Sequence, residues 1–190
     1  MSNFNPKKFE EKTISSTVKF DGHIFQITRE IVELPDGKTG ERDIMHHNGG
    51  VAIAAVHDGK LLLVGQYRKA LEQFIYEIPA GKLEKGEIND VKSAALRELE
   101  EETGFTSSNL TELPAFFVSP GCTSEKTFMF FTSSLTKVEN PLPADDDEFL
   151  EQISVDLSEA KKMIANGQIA DAKTIQAVLY WEIQLLKGEI

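Results

Sequence analysis

The run Arg97-Glu98-Leu99-Glu100-Glu101-Glu102-Thr103-Gly104 constrains this chain more than any other stretch. Four of the five residues from 98 to 102 are acidic. The segment through them is rich in strong helix formers and free of Pro and Gly until Gly104, which reads as a C-cap. At about 100° per residue, Glu98, Glu101 and Glu102 fall within an arc of roughly 100° on one helix face. Val91, Ala95, Leu96 and Leu99 line the adjacent face, which anchors the helix in an apolar core and leaves the acids at its border. Carboxylates so placed repel one another and are costly to bury unpaired. A hard divalent cation with oxygen ligands answers both problems. A solvated charged face is the ordinary reading of an acidic run. The Pro79-Ala80-Gly81 turn that leads into the segment weighs against it here.

Length and charge narrow the setting. A chain of 190 residues fits one domain with a small appendage and can bury a real core. Its 41% hydrophobic and 27% charged residues are those of a soluble globular protein. With 31 acids against 20 bases, the net charge of −11 argues against nonspecific binding to nucleic acid or to an anionic membrane. A small anionic substrate stays open, because a divalent metal reverses the local sign. The single cysteine, Cys122, excludes an intramolecular disulfide and suits a reducing compartment. Residues 1–12 lack an apolar leader core, and no apolar run approaches membrane-spanning length. These features predict a cytoplasmic protein with neither nucleic acid nor membrane as partner.

Along the chain, residues 1–12 are polar, either loose or an arm docked by Phe4 and Phe9. The pattern turns strand-like from Thr13. Residues 24–34 alternate apolar and polar, and Pro35-Asp36-Gly37 turns the chain into a strand over 38–47. Residues 51–56 and 61–66 are apolar runs joined by His57-Asp58-Gly59-Lys60, a hairpin signal. A short strand is expected at Glu77-Ile78, and further strands over 110–118, 126–133 and 151–155, with a polar loop over 136–148. Helices are expected over 158–166, ending at Gly167, and over 172–187. This order fits a mixed sheet packed between helices.

A second acidic group, Asp145-Asp146-Asp147-Glu148, follows Pro141 and Pro143 and precedes Phe149-Leu150. Such a run is ordinarily a solvated loop. Held near an acidic metal site in the presence of a cation and a phosphate ester, it supplies a base to activate water.

Gly81, Glu87, Arg97, Glu98, Leu99, Glu101, Glu102, Gly104 and Phe105 together resemble the Nudix box, the signature of hydrolases that cleave nucleoside diphosphates linked to another moiety. Glu87 and Arg97 stand farther apart than in the usual box, by two residues around Ile88-Asn89-Asp90; Asn89 or Asp90 can cap the helix there. Such an insertion leaves the helix acids in register and puts the role of Glu87 in question. Within that family the chain is similar to the ADP-ribose pyrophosphatases. The stretch from Glu77 to Glu84, the acidic loop, the Asp171-Ala172-Lys173-Thr174 segment and Pro120, fifteen residues beyond Phe105, carry this similarity, which runs from about residue 11 to 185.

The resemblance implies an α/β (α+β) fold: an α/β/α sandwich with a mixed sheet, plus an N-terminal antiparallel β region. It implies a dimerising region over 1–48, a hydrolase domain over 49–190, and a homodimer. It implies that Mg²⁺ or Mn²⁺ is ligated by Glu98, Glu101, Glu102 and the Ala80 carbonyl, with Glu148 as a further ligand. Asp146 is the expected general base, with Asp145 and Asp147 open. Arg97 is expected to hold a box glutamate through charged hydrogen bonds. Arg68 matches a contact to the diphosphate, Ser119, Gly121 and Glu125 the terminal ribose side, and Arg42 a contact in the adenine region. Core packing is the better reading of Phe25, and a buried or loop thiol that of Cys122. Adjacent strand positions point to opposite faces, so His46 and His47 do not form a metal pair. The implied reaction is hydrolysis of ADP-ribose to AMP and ribose 5-phosphate. Alternatives are another nucleoside diphosphate derivative, such as a sugar nucleotide or NADH, or a non-catalytic nucleotide sensor.

Overall fold

The computed structural model describes residues 4–84, 86–144 and 148–190. Its strands are β1 (Lys12–Asp21), β2 (Phe25–Glu33), β3 (Thr39–His47), β4 (Gly50–His57), β5 (Lys60–Arg68), β6 (Gln73–Glu77), β7 (Ala80–Lys82), β8 (Phe105–Thr106), β9 (Thr111–Glu112), β10 (Phe116–Phe117), β11 (Lys126–Thr132), β12 (Thr136–Lys137) and β13 (Glu151–Val155). Its α-helices are α1 (Val91–Thr103), α2 (Leu157–Ala165) and α3 (Ala172–Lys187). The chain divides into two compact units, residues 1–49 with 116–126, and residues 50–115 with 127–190.

In the first unit β1, β2 and β3 form an antiparallel sheet in that order. The turn between β2 and β3 closes by a bond from the Leu34 N–H to the Lys38 carbonyl at 2.7 Å, with Gly37 at φ 81°, a left-handed position that glycine takes without strain. Phe25 is half-buried, its ring 5.6 Å from that of Phe20. Phe4 and Phe9 stack on one another and stay exposed. The 116–126 segment joins this unit by backbone bonds between Met45 and both Cys122 and Ser124.

The second unit is built on a sheet with the path β11-β4-β5-β13. β11 runs parallel to β4, while β4–β5 and β5–β13 are antiparallel. β6 adds to β5 and β7 to β4. The β4–β5 hairpin turns on Asp58 and Gly59, both at positive φ, as the sequence predicts. β4 is buried along nearly its whole length because helices cover both faces of the sheet. On one face Val51, Ile53, Ala55 and Phe130 pack with Ala94, Ala95 and Leu99 of α1. The next residue on β11, Phe131, points the other way, and its ring lies 5.2 Å from Tyr180 of α3. The two helices therefore sandwich the sheet. Leu99 is fully buried, a contribution of about 1.5–3 kcal/mol.

Three local expectations are corrected. The strand over 110–118 is two short pieces, β9 and β10, with Pro114 between them; Pro has no N–H for a ladder. The strand expected at Glu77-Ile78 is instead the end of β6, which stops at Glu77 because the Ile78 N–H is taken by the Thr174 hydroxyl at 2.9 Å. The 136–148 segment is not wholly loop, since β12 pairs with β8.

Candidate active site

The site is assembled on α1 and on the turn that precedes it. Asp90 caps α1, accepting the Ser93 N–H at 3.1 Å, and Gly104 ends it at φ 71°. The two additional residues are absorbed upstream by a single 3-10 turn, Glu87–Asn89. Within it Glu87 accepts the Glu84 N–H and pairs with Arg97 at 3.2 Å. This answers the question left by the spacing: Glu87 braces Arg97. Arg97 also reaches Glu98 at 2.9 Å and Glu101 at 2.7 Å. Burial opposes its charge, but the bond to Glu87 and the nearby carboxylates outweigh that and hold the guanidinium more firmly protonated than usual. The arginine is a hub that pairs with glutamates on one side of the helix.

Glu98 and Glu102 lie one turn apart on the inner side. Glu102 is 4% exposed and accepts the Ala80 N–H at 2.9 Å. Glu98 lies against Gly81 so closely that a Cβ there would fall 1.9 Å from its carboxyl carbon. Burial pushes the Glu98 carboxyl up to about 7, Arg97 opposing and Glu101 and Glu148 adding to it. Burial pushes Glu102 up to about 8, opposed by the Ala80 amide and by Arg68 and reinforced by Glu98 and Glu148. Glu98 and Glu102 thus both feel the charge of Glu148, and Glu102 feels that of Glu98 as well, in a poorly solvated space. Among the described residues no three such side chains converge as a ready metal cage; Glu101 leans on Arg97 and Glu102 on the Ala80 amide. The donor set is nonetheless all oxygen, carries excess negative charge, and has a glycine where any side chain would displace a carboxylate. Those properties suit a hard divalent cation.

Arg68 ends β5 beside this space. Its Nε donates to Glu77 at 2.6 Å, and Nη2 also pairs with Glu77. Arg42 lies on β3, where its Nε donates to Glu11 at 2.8 Å. Ser119, Gly121 and Glu125 belong to the other segment of the first unit. There the Ser119 carbonyl accepts the N–H groups of Cys122 and Thr123, forming a tight turn. Cys122 is exposed and free. His46 Nε2 meets the Thr28 hydroxyl, and His47 Nδ1 accepts the Gly49 N–H, so the two imidazoles serve different partners. Asp145, Asp146 and Asp147 lie outside the described residues. Sequence reasoning assigned no role to Gln152, whose side-chain amide donates to the Glu102 carbonyl, nor to Glu77 and Lys173. Lys173 had a signal, because a cation in the first turn of a helix opposes the macrodipole and needs a local anion.

A buried acidic pair facing a glycine turn, backed by an arginine hub, is an arrangement suited to a hydrolase that works with a divalent cation. Comparison with known proteins narrows this. Residues 46–178 match the NUDIX domain, and residues 11–45 match the nucleoside diphosphate sugar hydrolase N-terminal domain. The chain belongs to the Nudix family and is a Nudix hydrolase. It is 45% identical to an ADP-ribose pyrophosphatase of Bacillus subtilis over 94% of this chain and 96% of that protein. A methanol dehydrogenase activator of Bacillus methanolicus is similar to the same extent, 45% over 94% and 96%. A GDP-mannose pyrophosphatase of Klebsiella pneumoniae is 28% identical over 84% and 77%. A crystal structure of an ADP compounds hydrolase superposes with a TM-score of 0.82 over 95% of this chain and 96% of that one, at 24% identity, and shares the fold. No helix among the described residues is long and apolar enough to cross a membrane.

Proposed function

We propose that this protein hydrolyses ADP-ribose to AMP and ribose 5-phosphate, using Mg²⁺ or Mn²⁺. The observation that carries the reading is the buried pair Glu98 and Glu102 against the Gly81 turn, in a chain similar over nearly its full length to an ADP-ribose pyrophosphatase. Glu98, Glu101, Glu102, Glu148 and the Ala80 carbonyl would hold the cation. When bound, it supplies positive charge for the diphosphate oxygens and lowers the pKa of a coordinated water. The chain's own residues do the rest. Arg97 fixes Glu98 and Glu101 in one orientation. The Ala80 amide fixes Glu102, and so ties the turn to the helix. Asp146, flanked by Asp145 and Asp147, accepts the proton from the attacking water. Arg68 binds the diphosphate. Ser119, Gly121 and Glu125 bind the terminal ribose, and Arg42 acts at the adenine end. The N-terminal region over 1–48 pairs two copies of the chain, and the protein works in the cytoplasm.

Hydrolysis of ADP-ribose in ¹⁸O-labelled water, with mass analysis of both products, tests substrate, activity and site of attack together. AMP and ribose 5-phosphate should form, with one product carrying the label. Initial rates on GDP-mannose and NADH should be at least about tenfold lower, a discrimination that contacts to the two ends of the substrate can supply. A tenfold preference for NADH or GDP-mannose would sink the substrate assignment. Binding of ADP-ribose without release of AMP in Mg²⁺ would favour a sensor.

A further inference from the structure

Glu77 is a buried carboxylate, and it is not part of the acidic metal-binding set. It has two cationic partners, each on its own oxygen. Arg68 takes Oε2, while Lys173 Nζ donates to Oε1 at 3.0 Å. Lys173 is also 3.1 Å from Asp171, whose carboxylate caps α3 through the N–H and hydroxyl of Thr174. Two cations thus balance two anions. Of the four side chains Arg68 is the most exposed at 39%, against 16% for Lys173 and 7% for Glu77. Its charge is also sensed by Glu102 across the site. Arg68 is the outward cation of the network, and Lys173 is the more enclosed one.

One buried carboxylate is adequately paired by one well-placed arginine. A second cation on it, drawn from the N-terminus of a helix where positive charge is disfavoured and shared with the Asp171 cap, calls for a purpose. If Arg68 alone neutralised Glu77, turning the guanidinium to a substrate would strand an unpaired buried anion, which is costly. With Lys173 on the other oxygen, the carboxylate stays paired whichever way Arg68 points.

We infer that Lys173 is a positioning residue that keeps Glu77 neutralised, so that the Arg68 guanidinium can exchange between Glu77 and an anionic group of the substrate. This rests on the reading of Arg68 as a diphosphate contact. The inference concerns substrate capture, so its signature is in KM.

The test measures kcat and KM for ADP-ribose in saturating Mg²⁺, together with thermal stability, for K173M, K173R, E77Q, E77Q/K173M and R68A. In K173M the arginine is locked onto Glu77, and KM should rise about tenfold with kcat within about threefold of wild type. K173R should restore KM. Removing the anion removes the need for its counterion, so E77Q/K173M should bring KM back to within about threefold of E77Q. An unchanged KM in K173M with only a lower melting temperature would overturn the inference, as would a double variant no better than K173M. Should K173M be too unstable to assay, E77Q and E77Q/K173M carry the test: equal KM values support the role, and a tenfold difference overturns it. R68A tests the underlying reading separately. It should raise KM at least about tenfold, and an unchanged KM there would refute the diphosphate contact whatever Lys173 does.

Discussion

Glu102→Gln should make the metal-free protein more stable at alkaline pH while abolishing its activity. The substituted amide keeps an oxygen to accept the Ala80 N–H and removes only the charge. The Glu102 carboxyl is raised from 4.5 to about 8, chiefly by burial. A group whose pKa is higher in the folded state binds its proton more tightly there. Folding stability therefore falls as pH climbs from the unfolded pKa through the folded one. At about 1.4 kcal/mol per unit, and with the group half-ionised at pH 8, the wild-type protein loses on the order of 4 kcal/mol between pH 4.5 and 8. The Glu102→Gln protein lacks this contribution and keeps only the smaller loss from Glu98, whose carboxyl is raised to about 7. In EDTA the two proteins should differ little at pH 5, and the variant should lead by several kcal/mol at pH 8. Mg²⁺ should close that gap by stabilising the wild type alone, as a ligand of the folded state does. Urea denaturation followed by the fluorescence of Trp181, the chain's sole tryptophan and fully buried, measures this directly. In the same variant kcat should fall by at least about 100-fold. A wild-type stability in EDTA that is flat from pH 5 to 8, or an active Glu102→Gln enzyme, would refute the reasoning.

Gly81→Ala should displace the Glu98 carboxylate, the end of a flexible side chain, rather than break the fold. The Mg²⁺ concentration for half-maximal activity should rise about tenfold with a stability change under about 1 kcal/mol, read by metal titration and by melting. Arg97→Met removes a partly buried hub of three glutamates and should cost about 3 kcal/mol at neutral pH, together with activity, measured by denaturation and turnover. Among Asp145→Asn, Asp146→Asn and Asp147→Asn, Asp146→Asn should lower kcat about 100-fold with KM little changed. A comparable loss in a neighbour instead would move the base.

Much of the second unit is legible from local rules. The Asp58-Gly59 turn between apolar runs gives the β4–β5 hairpin. The apolar face of α1 and its cap at Gly104 follow from helical spacing and from the one residue that tolerates positive φ there. The acidic face was legible for the same reason, because residues three and four apart on a helix are neighbours wherever the helix goes. The 110–118 strand misled because the apolar pattern outweighed Pro114. Glu77 ends β6 one residue early because a hydroxyl from α3 claims the next N–H.

The sequence alone determined that a helix would carry three carboxylates beside a core, and that a glycine turn would precede it. Both are consequences of spacing along a few consecutive residues. Only the tertiary structure decided that Gly81 would leave room for Glu98, that the Ala80 amide would meet Glu102, and that Lys173 would reach Glu77 from the far helix. It also decided that two carboxyls would be pushed toward neutrality, since desolvation is set by what packs around a group and not by its neighbours in the chain. Contacts between residues far apart depend on sheet register and helix docking. No local pattern encodes those distances.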